Sequence, residues 1–108
     1  MDLAGKKCIP CEGGIAPLGP GEVKEYLIEL AEWSTEDNKT IKKAFVFKNF
    51  KEALAFINKV GELAEAEDHH PDIMLYSYKK VRLELSTHAI GGLSENDFIL
   101  AAKVDRLV

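Results

Sequence analysis

Three histidines are the residues of this chain best suited to proton transfer, and two of them are adjacent. His69 and His70 lie between an acidic run and Pro71 in the stretch EDHHPDI, and His88 follows about one β-hairpin later. Histidine is the side chain that can give or take a proton near neutral pH with little tuning by its surroundings. This concentration makes a site for general acid-base chemistry the first hypothesis to weigh.

The other candidates for such a site are close to the histidines in sequence. Glu65 is four residues before His69, so the two would share a helix face if the helix continued that far, and the carboxylate would favour the imidazolium and orient the ring. Adjacent side chains that enter a strand point in roughly opposite directions, so we expect His69 and His70 to have different roles. The candidates are Glu65, Asp68, His69, His70, Ser86, Thr87, His88 and Asp97.

Each of these residues also has an ordinary structural explanation. An isolated histidine pair is more often a surface or capping pair than a catalytic one, and Asp97 stands where a helix cap is expected. Ser86 and Thr87 are common strand residues. A metal site made by the three histidines is disfavoured, because three convergent imidazoles are hard to assemble from an adjacent pair, and we expect no metal.

Cys8 and Cys11 form a CIPC motif, and the chain has no other cysteine. An all-cysteine zinc site would require a second subunit to complete four ligands, and a redox pair would have to open a helix after a strand. The motif lies instead in a segment rich in glycine and proline. We expect no catalytic role for it, and a dimer-bridging zinc site or a redox-sensitive arm are the alternatives.

The composition is that of an ordinary globular protein with one core, since 46% of the 108 residues are hydrophobic and 30% are charged. The net charge of -4 argues against a nucleic-acid partner, because phosphate binding needs a surplus of lysine and arginine on one face. No apolar run is long enough to span a bilayer, and the N-terminus lacks the apolar core of a signal peptide. We therefore expect no membrane association and a cytoplasmic location.

The first half of the chain predicts an arm, a helix and two strands. Residues 1–19 should form an irregular arm, because glycine and proline interrupt any periodicity. An apolar face at helical spacing begins near Gly21, and this helix is expected to end near Trp33. A short strand over residues 33–36, a polar turn and a β-branched and aromatic strand over residues 41–48 should follow.

The second helix has clear signals at both ends. Asn49 can cap its start, with Glu52 in the capping-box position. The helix should end near Glu67, because Pro71 disfavours helical geometry at the residue before it. The histidine pair is thereby placed where helix becomes strand.

The remaining chain predicts a hairpin and a last helix. Strands over residues 73–78 and 81–88 should be joined by a tight turn around Lys79 and Lys80. Ser94 should cap the last helix, with Asp97 at its third position. Alternation along the second strand places one set of side chains toward a core, namely Val81, Leu83, Leu85 and Thr87, and His88 on the opposite, polar face.

The order α-β-β-α-β-β-α predicts an α+β domain over residues 20–108. Two hairpins would form a four-stranded antiparallel sheet with three helices packed on one face. The open face and the edges of this sheet would need a partner or protection by charged side chains. Because the domain is small and its edges are open, we expect a homodimer or a homotetramer.

The run AEAEDHHPDI, followed by a hairpin and then by LSTHAIGGLSENDF, resembles the pterin-4a-carbinolamine dehydratases, known in animals as dimerisation cofactors of a homeodomain transcription factor. The resemblance extends over most of the chain from about residue 21. Its specific part is an acidic residue four before a histidine, then HHP, then a THxxxGLSxxD block. Ile73 departs from the aromatic residue of some members, and the arm with Cys8 and Cys11 is outside the animal pattern.

The resemblance implies an activity and a substrate. The family dehydrates a 4a-hydroxytetrahydropterin to the quinonoid dihydropterin, which regenerates the cofactor of aromatic amino-acid hydroxylases. Loss of water requires a proton for the hydroxyl at C4a and removal of a proton from ring N5, both tasks for imidazoles. The resemblance implies that no metal or organic cofactor takes part.

The resemblance also assigns roles to residues. We expect His69 and His88 to be the proton-transfer pair, with His70 holding or polarising the pterin. Glu65 would orient His69, and Asp97 would support His88 from the last helix. The substrate-binding segments would be Asp68, His69 and His70 together with Ser86, Thr87 and His88.

Two other functions remain open from the sequence. One is a non-catalytic interaction module, because animal relatives also bind a transcription factor and open sheet edges invite a protein partner. The other is a related enzyme for a different pterin, for example in molybdopterin metabolism, because nothing in the sequence identifies the substituent at C6.

Overall fold

The computed structural model describes residues 2–9 and 16–108. Within them the element order is α-β-β-α-β-β-α, as the sequence predicts, and short 3-10 turns at Leu3–Gly5 and His88–Ile90 complete it. Among the described residues, no helix is both long and apolar enough to cross a membrane. The helices and strands are α1 (Pro20–Ile28), β1 (Ser34–Glu36), β2 (Thr40–Val46), α2 (Phe50–Glu67), β3 (Asp72–Tyr76), β4 (Lys80–Leu85) and α3 (Glu95–Asp105).

The four strands form one antiparallel sheet in the order β1-β2-β4-β3. The two predicted hairpins, β1-β2 and β3-β4, are both present, and β2 joins them by pairing with β4. In this register Leu85 lies opposite Ile41, and Leu83 lies opposite Ile73. Strand β4 is therefore central, and the residues that follow it are held by neighbours on both sides.

The core lies on one face of the sheet. Side chains alternate along β4 as predicted, with Val81, Leu83 and Leu85 fully buried and Thr87 buried just beyond the strand end. The buried stripes of α2 and α3 belong to the same hydrophobic cluster. Helices on one face and a sheet open on the other confirm the predicted architecture.

Several element boundaries differ from the sequence prediction, among them the end of β4, which lies at Leu85 and not at His88. Helix α1 ends at Ile28 with Glu29 as its C-cap, and it could not extend to Trp33, because Glu32 has a left-handed backbone with φ of 64° that no right-handed helix can contain. Trp33 instead packs in the core, and its Nε1–H donates to Asp105 at 3.1 Å. The β3–β4 turn is centred before Lys79, since it uses left-handed backbone at Ser77.

The described part of the N-terminal arm packs against the domain. Leu3 is buried in the hydrophobic core, and the Lys6 ammonium pairs with Glu95 at 3.0 Å. The segment before α1 is also fixed, because the Leu18 N–H donates to the Leu93 carbonyl at 2.9 Å. The arm therefore borders the first turn of α3, where Asp97 also lies.

The contact between this segment and the loop before α3 can be tested at Gly92. A Cβ at Gly92 would lie 2.7 Å from Cβ of Pro17, so Gly92→Ala forces two backbone segments apart and should lower the free energy of unfolding by about 1–3 kcal/mol. The measurement is urea unfolding followed by circular dichroism.

The matched control is the same substitution at Gly61, inside α2. A Cβ there meets nothing within 4 Å, and alanine favours the helix, so Gly61→Ala should raise the free energy of unfolding by about 0.5–1 kcal/mol. Equal effects at the two positions would contradict the close packing at Gly92.

Candidate active site

The histidine pair is positioned by the way α2 ends. Asp68 follows the last helical residue with a left-handed backbone, φ 53°, and its N–H caps the Ala64 carbonyl. The His69 N–H donates to the same carbonyl at 3.2 Å. This left-handed cap turns the chain out of the helix axis, so the two histidines leave α2 in new directions before β3 begins.

His88 is positioned by the end of β4. It begins a 3-10 turn that stops at Gly91, whose φ of 66° is left-handed. Thr87 and Gly92 form an isolated antiparallel bridge across this turn, with the Thr87 N–H donating to the Gly92 carbonyl at 2.8 Å. The THxxxGLSxxD block therefore begins with a loop that is closed by hydrogen bonds between Thr87 and Gly92.

These two segments line one cavity of about 370 Å³. It contains all six residues predicted to bind substrate. The volume lies within the usual range for small-molecule sites. The lining residues are Ile9, Asp68, His69, His70, Ser86, Thr87, His88, Ala89 and Asn96.

Asp97 is the partner of His69. Its Oδ1 lies 2.6 Å from His69 Nε2, and the carboxylate is completely buried while the imidazole is 12% exposed. A carboxylate can only accept, so Nε2 carries the proton of this bond and Nδ1 is left for other partners. The pair has the arrangement in which a buried carboxylate fixes the tautomer and orientation of an imidazole.

Oδ2, the second oxygen of Asp97, is bonded to the loop and to its own helix. The Thr87 hydroxyl donates to it at 2.8 Å, and the Ser94 N–H donates to it at 3.0 Å. The Ser94 hydroxyl lies 2.7 Å from Thr87 Oγ1, and Ser94 and Asp97 form the predicted capping box. One carboxylate therefore caps α3, holds the end of β4 and orients His69.

The predicted role of Asp97 in supporting His88 is wrong. Both oxygens of Asp97 are bonded to other groups, Oδ1 to His69 and Oδ2 to Thr87 and Ser94. His88 is exposed, and no side-chain hydrogen bond to it occurs in the described part of the chain. Its imidazole is therefore left for a ligand or solvent.

The predicted pairing of Glu65 with His69 is also wrong. Glu65 Oε2 lies 2.5 Å from His70 Nε2, because the left-handed residue Asp68 breaks the helical spacing that would have placed His69 over Glu65. This pair is exposed, with the side chains of His70 and Glu65 at 55% and 78% accessibility. Exposed ion pairs contribute little to stability, so it orients a ring more than it holds the fold.

Three cavity residues were not predicted from the sequence, namely Ile9, Ala89 and Asn96. Ala89 follows His88 and is brought in by the same turn. Asn96 lies beside Asp97 in the first turn of α3. Ile9 has no sequence signal, because it belongs to an arm without periodicity.

Cys8 lies near the cavity but has no sign of thiolate chemistry. Burial, and then the charge of Glu67, raise the pKa of the Cys8 thiol to about 12, which disfavours the thiolate that a nucleophile or metal ligand needs. Cys11 lies outside the described residues, so the predictions made for the CIPC motif stay predictions. Among the described residues, no group of three histidine, cysteine or acidic side chains could hold a metal ion.

The fold and the site together define a class: a small α+β protein whose cavity presents imidazoles oriented by carboxylates. The chain belongs to the pterin 4 alpha carbinolamine dehydratase family, whose family model matches residues 16–107. The resemblance seen in the sequence is therefore confirmed. The described arm, residues 2–9, lies outside the matched region.

Relatives and solved structures agree with this family. Two relatives are each named "Putative pterin-4-alpha-carbinolamine dehydratase". The protein of Halorhodospira halophila is 53% identical to this chain over 99% of the chain and 98% of its own length. The protein of Alkaliphilus metalliredigens is also 53% identical, over 97% of the chain and 95% of its own length. A crystal structure of a transcriptional coactivator/pterin dehydratase from Brucella melitensis aligns with a TM-score of 0.79 and 33% identity, over 84% of this chain and 97% of that one.

A more distant structural neighbour supports the fold alone. A pterin dehydratase-like protein, described as a RuBisCO assembly factor in the alpha-carboxysome, aligns with a TM-score of 0.60 and 24% identity, over 71% of this chain and 89% of that chain.

The two histidine-bound carboxylates should differ in their importance for stability. Asp97→Asn removes a buried charge that accepts three hydrogen bonds, so the free energy of unfolding should fall by about 2 kcal/mol or more. Glu65→Gln is the matched control, because it changes an exposed pair worth about 0–1 kcal/mol. Chemical denaturation measures both, and equal losses would contradict the central role of Asp97.

Glu67 should make stability depend on pH. Hydrogen bonds from Lys103 and the Cys8 backbone hold the pKa of Glu67 below its usual range. Its contribution is fully present above the unfolded-state value of about 4.3 and is lost as the pH falls through the lower folded-state value. The stability difference between wild type and Glu67→Gln should therefore shrink between about pH 6 and about pH 3.

The control for this titration is Glu62→Gln on the same helix. Glu62 is exposed and has no hydrogen bond to another described side chain, so this variant should keep the wild-type pH profile. A constant stability difference for Glu67→Gln across the same titration would contradict the inference.

Proposed function

We propose that this protein dehydrates a 4a-hydroxytetrahydropterin to the quinonoid dihydropterin and water by histidine general acid-base catalysis. The observation that carries the proposal is the cavity in which His69, oriented by the buried Asp97, lies with His88. Membership of the family and the names of the relatives support the same reaction. We propose pterin recycling as its context, with tetrahydrobiopterin or a related pterin as the recycled cofactor.

The reaction needs two proton movements. An acid gives a proton to the hydroxyl at C4a, the C–O bond breaks and water leaves. A base takes the proton of N5, and the electron pair of that N–H bond forms the C4a=N5 double bond. The acid has then lost a proton and the base has gained one, so exchange with solvent restores both. The dehydration needs no oxidant or reductant, and we propose that it uses no metal or organic cofactor.

His69 and His88 are the proposed proton-transfer pair. Asp97 fixes the Nε2–H of His69, so Nδ1 is the nitrogen that exchanges a proton with the substrate. The same carboxylate stabilises the imidazolium when His69 is protonated. His88 has no competing side-chain bond among the described residues, so its ring can turn toward either substrate atom.

His70 is proposed to hold or polarise the substrate. Its ring is oriented by Glu65, at the exposed rim of the cavity. Asp68, Ser86 and Thr87 complete the proposed polar lining. Carboxylate and hydroxyl groups there can bond the amino and ring N–H groups at the edge of a pterin.

A protein-interaction function is the second candidate. Edge strand β3 exposes Ile73, Met74 and Tyr76, each more than a third accessible, which is unusual for a sheet edge without a partner. The Brucella melitensis neighbour is described as a coactivator as well as a dehydratase. We propose a second copy of the chain as the first partner for this edge, in a homodimer or homotetramer. A cytoplasmic location stays a prediction.

The proposed reaction is tested by replacing each histidine of the proton-transfer pair. His69→Ala and His88→Ala should each lower kcat for synthetic 4a-carbinolamine by about 10²- to 10⁴-fold, because each removes one proton-transfer group. Stopped-flow absorbance measures the dehydration. Added imidazole should restore part of the lost rate in either variant.

The control for this assay is Asn58→Ala, at an exposed α2 position away from the cavity, which should keep the wild-type rate. Circular dichroism verifies that the histidine variants remain folded. Unchanged turnover in His69→Ala or His88→Ala would contradict the proposed mechanism.

A further inference from the structure

An apolar side chain of the N-terminal arm is held at the cavity by its own backbone. The Ile9 N–H donates to Asn96 Oδ1 at 3.0 Å, and the Ile9 carbonyl accepts from Asn96 Nδ2 at 2.5 Å. Asn96 is only 3% exposed, whereas Ile9 is 70% exposed. A buried amide thus fixes the backbone of a residue whose side chain is left largely uncovered by the described part of the chain.

The chain just before Ile9 is fixed as well. The Cys8 N–H donates to Glu67 Oε1 at 2.9 Å, and the other oxygen of that carboxylate accepts from Lys103 at 2.8 Å. Leu3 anchors the start of the arm in the core. The position of Ile9 is therefore set by contacts to α2 and α3, the helices that also hold His69 and Asp97.

The cavity lining has a polar part and a small apolar part. The polar part consists of the histidines and their neighbours, while Ile9 and Ala89 are its aliphatic members. A pterin has polar edges and flat apolar faces, so a complementary site needs an apolar surface beside its hydrogen-bonding groups. Ile9 is the larger of these two aliphatic side chains, and its exposed surface is accessible to a ligand in the cavity.

We propose that Ile9 is a substrate-binding residue whose side chain packs on the ring face of the pterin, and that Asn96 is the positioning residue that holds it there. This inference rests on the proposed function, since it takes a pterin as the ligand. It assigns the arm, which lies outside the family model, a direct part in substrate affinity.

The contact should affect binding more than chemistry. Ile9 carries no group that can move a proton, and a dispersion contact to the ring is the same in the substrate and in the transition state. Interactions of equal strength in both states change KM and leave kcat unchanged. The histidines should show the opposite behaviour.

The test compares Ile9→Ala with Ile28→Ala. Ile9→Ala should raise KM for 4a-carbinolamine by about ten-fold with kcat unchanged, because it removes apolar contact area from a binding site. Ile28 is 74% exposed on α1 and does not line the cavity, so the same substitution there should leave both constants unchanged. An unchanged KM in Ile9→Ala would overturn the inference.

Asn96 is tested through Ile9. Asn96→Asp can still accept from the Ile9 N–H but cannot donate to its carbonyl, so KM should rise while kcat stays constant. If Asn96 acts through Ile9, the double variant Ile9→Ala/Asn96→Asp should have the KM of Ile9→Ala alone. Additive effects would overturn the positioning role, and thermal unfolding verifies that each variant is folded.

Equilibrium binding separates this inference from the proposed function. Calorimetry with 7,8-dihydropterin, which lacks the C4a hydroxyl, should give measurable binding to wild type and about ten-fold weaker binding to Ile9→Ala. Equal binding to both proteins would overturn the role of Ile9 and leave the dehydratase intact. No binding and no turnover by wild type would overturn the proposed function itself, and the inference with it.

Discussion

One buried carboxylate ties together the two segments that line the candidate site and the start of α3. Asp97 accepts hydrogen bonds from His69 after α2, from Thr87 after β4 and from Ser94 at the start of α3. A charge removed from water is tolerated only when it is fully hydrogen-bonded. Separating any of these three partners from Asp97 would therefore carry a large cost in folding free energy. The positions of the two segments that line the candidate site are thus coupled through a single side chain.

This constraint divides the imidazoles into two kinds. His69 is nearly buried and fixed in tautomer and direction, while His70 and His88 lie at the exposed rim, with His70 paired to an exposed carboxylate. A fixed imidazole suits a step that needs defined geometry, because misplacement by about 1 Å can cost a hundred-fold in rate. The exposed rim suits groups that meet a small molecule as it enters or leaves the cavity. The arm adds an apolar side chain to this polar lining, namely Ile9, whose backbone is held by Asn96.

Helix caps and side-chain alternation predicted most of the helices and strands, because these signals depend on residues that are close together in the chain. Asn49 caps α2, the capping box of Ser94 and Asp97 starts α3, and alternation along β4 separates buried from exposed side chains. The end of α1 was predicted too late, because the helix ends at Ile28, the left-handed backbone of Glu32 prevents it from reaching Trp33, and no glycine or proline marks either position. Apolar periodicity alone cannot show where the backbone leaves the helical region.

The sequence by itself determined the α+β fold, the family, and the two segments that carry the histidines, because periodicity, caps and motifs are properties of neighbouring residues. Tertiary structure decided which carboxylate serves which imidazole: Glu65 orients His70, and Asp97 orients His69. This pairing follows from the left-handed cap at Asp68, which turns the chain out of the helix just before the two histidines. The contact of Ile9 with the cavity was equally invisible in sequence, since it depends on a side chain 87 residues away along the chain.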